Sequence, residues 1–126
     1  ATTLMQVHQE SLHQAVSAGV KVASGTDAGG FVHGDNAREI ELMVERGLSP
    51  MQAIQTATGW AAECIGLEKE IGTIQKGKQG DFLAVDGDPL SNIGVLRDKG
   101  RIKLVMKAGN ALIDKRAALV TEPVAD

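Results

Sequence analysis

The chain has 126 residues, with 13 Lys+Arg against 16 Asp+Glu, a formal net charge of −3, 43% hydrophobic and 23% charged residues. This is the composition of one ordinary globular piece; it excludes a disordered or collagen-like chain, and no apolar run approaches the ~20 residues of a membrane span. A mildly acidic balance without a basic cluster, no Tyr, one Trp and two Phe argue against a nucleic-acid partner, and no membrane partner is expected.

The chain opens on Ala1 with no secretory signal behind it, which suggests a piece of something longer. The single Cys64 excludes an internal disulfide framework and reads as a small packed side chain. The compartment stays undecided, with the cytoplasm favoured over secretion.

Thr3 and Gln6 have the spacing of a capping box, and Leu4, Val7, Leu12, Ala15 and Val16 recur at helical spacing up to Gly19, so a helix is predicted over 4–18. Val20 to Ser24 is short, β-branched and alternating, and reads as a strand. A glycine-rich loop follows, Gly25-Thr26-Asp27-Ala28-Gly29-Gly30, running on to His33 and Gly34. Asp35 or Asn36 can cap the next helix, with Glu39 at the capping-box position from Asn36; that helix is predicted over 36–46. Leu48-Ser49-Pro50-Met51-Gln52-Ala53 combines a staple, a cap, a first-turn proline and a box, and starts a helix over 50–65. Its expected buried face is Met51, Ile54, Ala57, Ala61 and Ile65. Beyond Gly66 the period changes to two, with a short strand over 71–74 and further strands over 81–86, 102–107 and 111–113. The domain organisation expected is 1–66, then a small β unit over 67–114, then a tail over 115–126.

Asp27 is the leading chemical candidate. It follows a strand directly, on a loop leading into a helix, which in βα barrels is the catalytic end of the strand. A carboxylate there can bind a divalent metal or accept a proton, although an Asp at a turn also serves its own backbone. His33, six residues on, is suited to orienting a substrate or moving a proton, and equally to being a solvated loop residue. His8 and His13 are five apart, ~140° around a helix, and read as surface or packing residues rather than a metal pair. The chain has no His-x-His, no HExxH, no CxxC, no phosphate-binding loop and no Gly-x-Ser-x-Gly elbow. A catalytic zinc wants about three protein ligands, so no tightly held metal is expected in this chain alone.

Gly19-Val20-Lys21-Val22-Ala23-Ser24-Gly25-Thr26-Asp27-Ala28-Gly29 resembles the last barrel strand of the metal-dependent amidohydrolase superfamily, with its Gly-Thr-Asp signature. Leu48 to Thr58 resembles that family's "(L/M)-(S/T)-P-x-x-A-(I/L)-x-x-A-T" helix, and Ala61 to Leu67 its alanine-rich continuation. Ile71 to Ile74 with Lys76 to Phe82 is similar to its "G-x-(I/L)-x-x-G-K-x-A-D" return into a small β-sandwich, with Gly80 replacing the usual Ala; Asp86 to Leu90 also fits. The resemblance covers roughly residues 3–113. Thr26 to Gly29, then His33, Gly34, Asn36, Glu39, Glu41 and Leu42, looks most like the prolidase-related branch of Xaa-Pro dipeptidases and carboxypeptidases.

The resemblance implies an α/β fold: the C-terminal piece of a TIM barrel, with its last strand and helices, plus part of a small β-sandwich. It implies that Asp27 touches a divalent metal, zinc by preference, and shuttles the proton of the attacking water to the leaving amine. His33 is implied to sit near the substrate. The family's other ligands, a His-x-His, a bridging lysine and two later histidines, have no counterpart here. The reading is therefore a fragment of a metal-dependent hydrolase of small peptide or amide substrates, inactive by itself, from a homo-oligomer. Its alternatives are an amidohydrolase acting on a cyclic amide or deaminating a base, and a non-catalytic, self-associating module.

Overall fold

The structure is a computed structural model and describes residues 3–27, 29–30 and 33–116. Four helices come first, α1 (Leu4–Ser17), α2 (Ala37–Glu45), α3 (Pro50–Thr56) and α4 (Gly59–Cys64), followed by strands β1 (Phe82–Val85), β2 (Ile102–Lys107) and β3 (Asn110–Asp114). A short 3-10 helix, Ile93–Leu96, lies between β1 and β2 and was not anticipated from the sequence. Residues 117–126, most of the expected tail, lie outside the described residues.

Local capping chemistry explains the helix ends. Thr3 with Gln6 and Ser49 with Gln52 form complete capping boxes, each hydroxyl accepting from the third-residue N–H and each amide side chain accepting from the cap N–H. Three helices close in the same Schellman pattern. After α1, Val20 N–H donates to Ala15 C=O and Gly19 N–H to Val16 C=O, at 2.9 and 3.0 Å. Leu48 and Gly47 repeat this after α2, and Leu67 and Gly66 after α4. The glycine in each motif has positive φ, which a side chain would resist.

The helical core joins Met43, Leu48 and Ala53, with Leu12, Val16, Ile40 and Val44 packed against it. Leu48 and Ala53 flank the Ser49 box as a hydrophobic staple should. Only the C-terminal half of the α1 stripe reaches this cluster; Leu4 and Val7 are exposed.

The expected single helix over 50–65 is two helices. Thr58 leaves helical geometry (φ −131°, ψ −98°), and its hydroxyl donates back to Ile54 C=O at 2.8 Å. Threonine hydroxyls compete in this way with the helical ladder. The break re-aims α4, so the buried positions are Ala53, Thr56 and Ala62, whereas Met51, Ala57 and Ile65 of the expected face are exposed.

The strand expected over 20–24 is also absent: these residues lie outside any sheet or helix. A strand exists through ladder bonds to neighbours, and among the described residues no strand lies beside this segment. Its Ser24 N–H donates instead to Thr56 C=O at 2.9 Å. The strand over 71–74 fails for a local reason. Gly72 has φ +87°, outside the β region, and sits so close to α4 that a Cβ there would lie 2.5 Å from Ala62 Cβ.

The three strands form an antiparallel sheet in the order β1-β2-β3. Phe82 pairs with Met106 and Val85 with Ile102; Lys107 pairs with Asn110 across a two-residue turn. Ala108 and Gly109 in that turn both have positive φ, as the tight hairpin twist requires. Asp81 holds it from outside, accepting from Ala108 N–H and from Lys107 Nζ, both at 2.6 Å. Gly109 N–H donates to Gly80 C=O at 3.0 Å, and a Cβ on Gly80 would stand 3.1 Å from Gly109 Cα and N, which accounts for a residue without a side chain at position 80. Lys78 closes the preceding turn, its Nζ donating to the carbonyls of Glu68 and Ile71 and to Thr73 Oγ1. Leu104 is the buried residue of the sheet, while all of β3 is exposed.

Candidate functional site

The loop between the 20–24 segment and α2 is anchored at its start by a buried threonine. Thr56 is fully buried; its hydroxyl donates to Ala53 C=O at 2.7 Å and approaches Met43 Sδ at 3.0 Å, while its own carbonyl receives Ser24 N–H. Three residues beyond that anchor stands Asp27, exposed, with φ +46°. Left-handed backbone is uncommon outside glycine, although Asp tolerates it better than most residues. His33 is exposed on the turn at 33–34. The two sequence candidates thus share one loop, but among the described residues no hydrogen bond joins them.

Asp35 and Asn36 depart from the expected capping role. Asn36 occupies the N-cap position of α2 with helical φ and ψ and makes no side-chain cap bond, so the box with Glu39 does not form. Its side chain points the other way, Nδ2 donating to Thr26 Oγ1 at 2.9 Å. Asp35 accepts two parallel bonds from Arg97, Nε to Oδ1 and Nη2 to Oδ2, each 2.9 Å. Arg97 also donates to Glu41 Oε2 at 2.8 Å. Arg38 joins Glu41 and Glu45, its Nη1 lying 2.7 Å from Glu45 Oε1. Five charges of alternating sign therefore run from Asp35 to Glu45. The Arg97 hydrogen bond holds the Asp35 carboxyl below the usual carboxylate range, and Arg38 does the same for Glu41. Arg97 is raised in turn, chiefly by its bond to Asp35.

A shallow cleft of about 230 Å³ opens beside this network, lined by Thr26, Asp35, Arg38, Glu39 and Leu42. The sequence reading missed Arg97. It lies 62 residues from Asp35, and no local pattern marks a lysine or arginine that crosses such a distance.

Cys64 is exposed rather than packed, because the break at Thr58 turns it outward from the buried Ala62 face. His8 and His13 are exposed on α1, and the His13 ring lies over the end of α2, its Nδ1 3.1 Å from where a Gly47 Cβ would stand. Among the described residues no three His, Cys, Asp or Glu side chains cluster closely enough to hold a metal. A carboxylate such as Asp27 suits a divalent cation in kind, and since a catalytic metal wants about three protein ligands, the others would have to come from beyond the described residues.

Among known proteins, the ochratoxinase of Aspergillus niger is 32% identical over 108 residues, covering 84% of this chain and 22% of that enzyme. The adenine deaminase of Moorella thermoacetica is 32% identical over 85 residues, covering 68% of this chain and 14% of the deaminase. Among solved structures, a Xaa-Pro dipeptidase with methionine bound in its active site superposes with a TM-score of 0.76 at 39% identity, covering 83% of this chain and 25% of that one. The chain thus spans a quarter or less of each of these three proteins. No helix among the described residues is long and apolar enough to cross a membrane. The model of the amidohydrolase family matches residues 3–112, and with these relatives it establishes that the chain belongs to the amidohydrolase family.

Proposed function

We propose that this chain is the C-terminal part of a metal-dependent hydrolase acting on peptide-like amides, of the Xaa-Pro dipeptidase or carboxypeptidase type. In this reading residues 1–66 are the last strand and helices of a TIM barrel, 67–114 are part of a small β-sandwich and 115–126 are a tail. The whole protein works as a homo-oligomer, and the isolated chain is inactive. The observation that carries the reading is Asp27: an exposed carboxylate on left-handed backbone, three residues past the Ser24 anchor. Residues held in sparsely populated backbone conformations cluster at functional sites.

A divalent metal, zinc by preference, would supply Lewis-acid polarisation of the scissile carbonyl and a more acidic bound water. Asp27 is proposed as one of its ligands, the rest coming from outside this chain. The Asp27 carboxylate accepts the proton of the attacking water and delivers it to the leaving amine nitrogen. His33, on the same loop, binds the substrate.

The test is made in the full-length protein with a series of Xaa-Pro dipeptides. Asp27→Asn keeps shape and removes the proton acceptor, so turnover falls by at least ~10²-fold. His33→Ala raises KM more than it lowers kcat, as loss of uniform binding does. Near-normal turnover in Asp27→Asn would leave Asp27 a turn residue. The similarity to adenine deaminase favours a second reading, deamination of a base, which predicts ammonia release from adenine and no dipeptide cleavage.

A further inference from the structure

We propose that Arg97 is a positioning residue for the Asp27 loop, holding it from the far end of the chain through Asp35 and Asn36. The inference rests on the role given to Asp27 above.

Three observations carry it. Arg97 follows directly on the 3-10 helix Ile93–Leu96, whose Val95 is buried and which packs against α2, so the base of the arginine is fixed. Its planar fork meets both Asp35 oxygens at 2.9 Å, a geometry that lysine cannot reproduce. The next residue, Asn36, reaches back to the Thr26 hydroxyl, and Thr26 is the immediate neighbour of Asp27. The positions where Gly25, Gly29 and Gly30 would carry a Cβ have nothing within 4 Å, so the loop's described glycines are not packed. The loop is therefore tied at Ser24 through Thr56 and at Thr26 through Asn36, and the second tie depends on where Arg97 places residues 35 and 36. Exposed single ion pairs contribute little, but a bidentate arginine within a network of five alternating charges is the exception.

The experiment compares hydrogen–deuterium exchange and steady-state kinetics in the full-length protein for Arg97→Gln, Arg97→Lys, Asp35→Asn and the Arg97→Gln/Asp35→Asn pair. In Arg97→Gln, exchange in the peptide spanning 24–40 accelerates about fivefold, as loss of a networked tie allows, while peptides from β1 to β3 stay within about twofold. Displacing the proton acceptor lowers kcat on dipeptides by about tenfold or more, with KM changed less than about threefold. Arg97→Lys, which keeps the charge and loses the fork, falls between wild type and Arg97→Gln and serves if the glutamine variant does not fold. The double variant is no worse than the worse single one, because both break one tie. Unchanged exchange at 24–40, uniform acceleration that includes β1 to β3, or additive losses in the double variant would each overturn the proposal. A loop that responds in a protein without any dipeptide turnover supports the tie and removes the peptidase reading alone.

Discussion

Gly66 and Gly72 both have left-handed backbone, at φ +72° and +87°, but their surroundings differ. A Cβ on Gly66 would meet nothing within 4 Å, whereas one on Gly72 would lie 2.5 Å from Ala62 Cβ and 3.0 Å from Thr58 O. Gly66→Ala should therefore cost only the backbone term, ~1 kcal/mol. Gly72→Ala adds an overpacking term and should cost ~3 kcal/mol, read as the difference in denaturant midpoints. Asp27 and Ala108 are the converse case, non-glycine residues at φ +46° and +49°. Ala108→Gly should stabilise by up to ~1 kcal/mol and leave function untouched. Asp27→Gly in the full-length protein should keep or raise the unfolding midpoint while turnover collapses, which separates a strained functional residue from a structural one. The Asp27 position itself is legible in the Gly-Thr-Asp run; its left-handed backbone is not, since Asp is compatible with several conformations.

At the scale of elements, the capping boxes were legible because each is complete within four residues. Ser49→Ala removes the hydroxyl that accepts from Gln52 N–H and should cost ~1 kcal/mol in thermal or urea unfolding. Asn36 has the same sequence credentials and a different job, because Thr26 offers its side chain a partner that no local rule contains. The 20–24 segment shows the opposite limit. Its β-branched alternation expresses a preference for a pleated surface, and such a preference becomes a strand only when neighbours supply the ladder. In the full-length protein Val22 N–H should be protected from exchange by a barrel neighbour, while in the isolated chain it should exchange rapidly. Equal, fast exchange in both would remove residues 20–24 from any barrel sheet.

At the scale of the whole molecule, the described residues bury a small helical core and leave Leu4, Ile65, Ile74 and Leu112 more than half exposed. The charges act across greater distances. Asp35, Glu41, Asp81 and Asp88 are all held below their ordinary range by hydrogen bonds, led by Arg97, Arg38, the Ala108 amide and Ser91 respectively, and Arg116 with its amide brings Asp114 to about 2. Each carboxylate is more acidic folded than unfolded. Its contribution is thus complete above the unfolded pKa and is lost as pH falls through the lowered value. Denaturant midpoints should therefore be level from about pH 7 to pH 5 and decline below about pH 4. Asp35→Asn should make that decline shallower, and an equally steep decline in the variant would place the acid sensitivity elsewhere.

The two capping boxes at Thr3 and Ser49, the closing glycines and the β2–β3 hairpin were determined by the sequence itself, because each depends on side chains within a few residues of the backbone they serve. The candidate loop was legible for the same reason: Gly25 to Gly30, Asp27 and His33 are neighbours in the chain. Only the tertiary structure decided that 50–65 breaks at Thr58, that Cys64 faces outward and that 20–24 has no ladder. It also decided that Asp35 and Asn36 are ties rather than caps, and that Arg97 reaches them across 62 residues. These outcomes depend on packing and on charges brought together by folding, and nothing in the spacing of residues along the chain records such meetings.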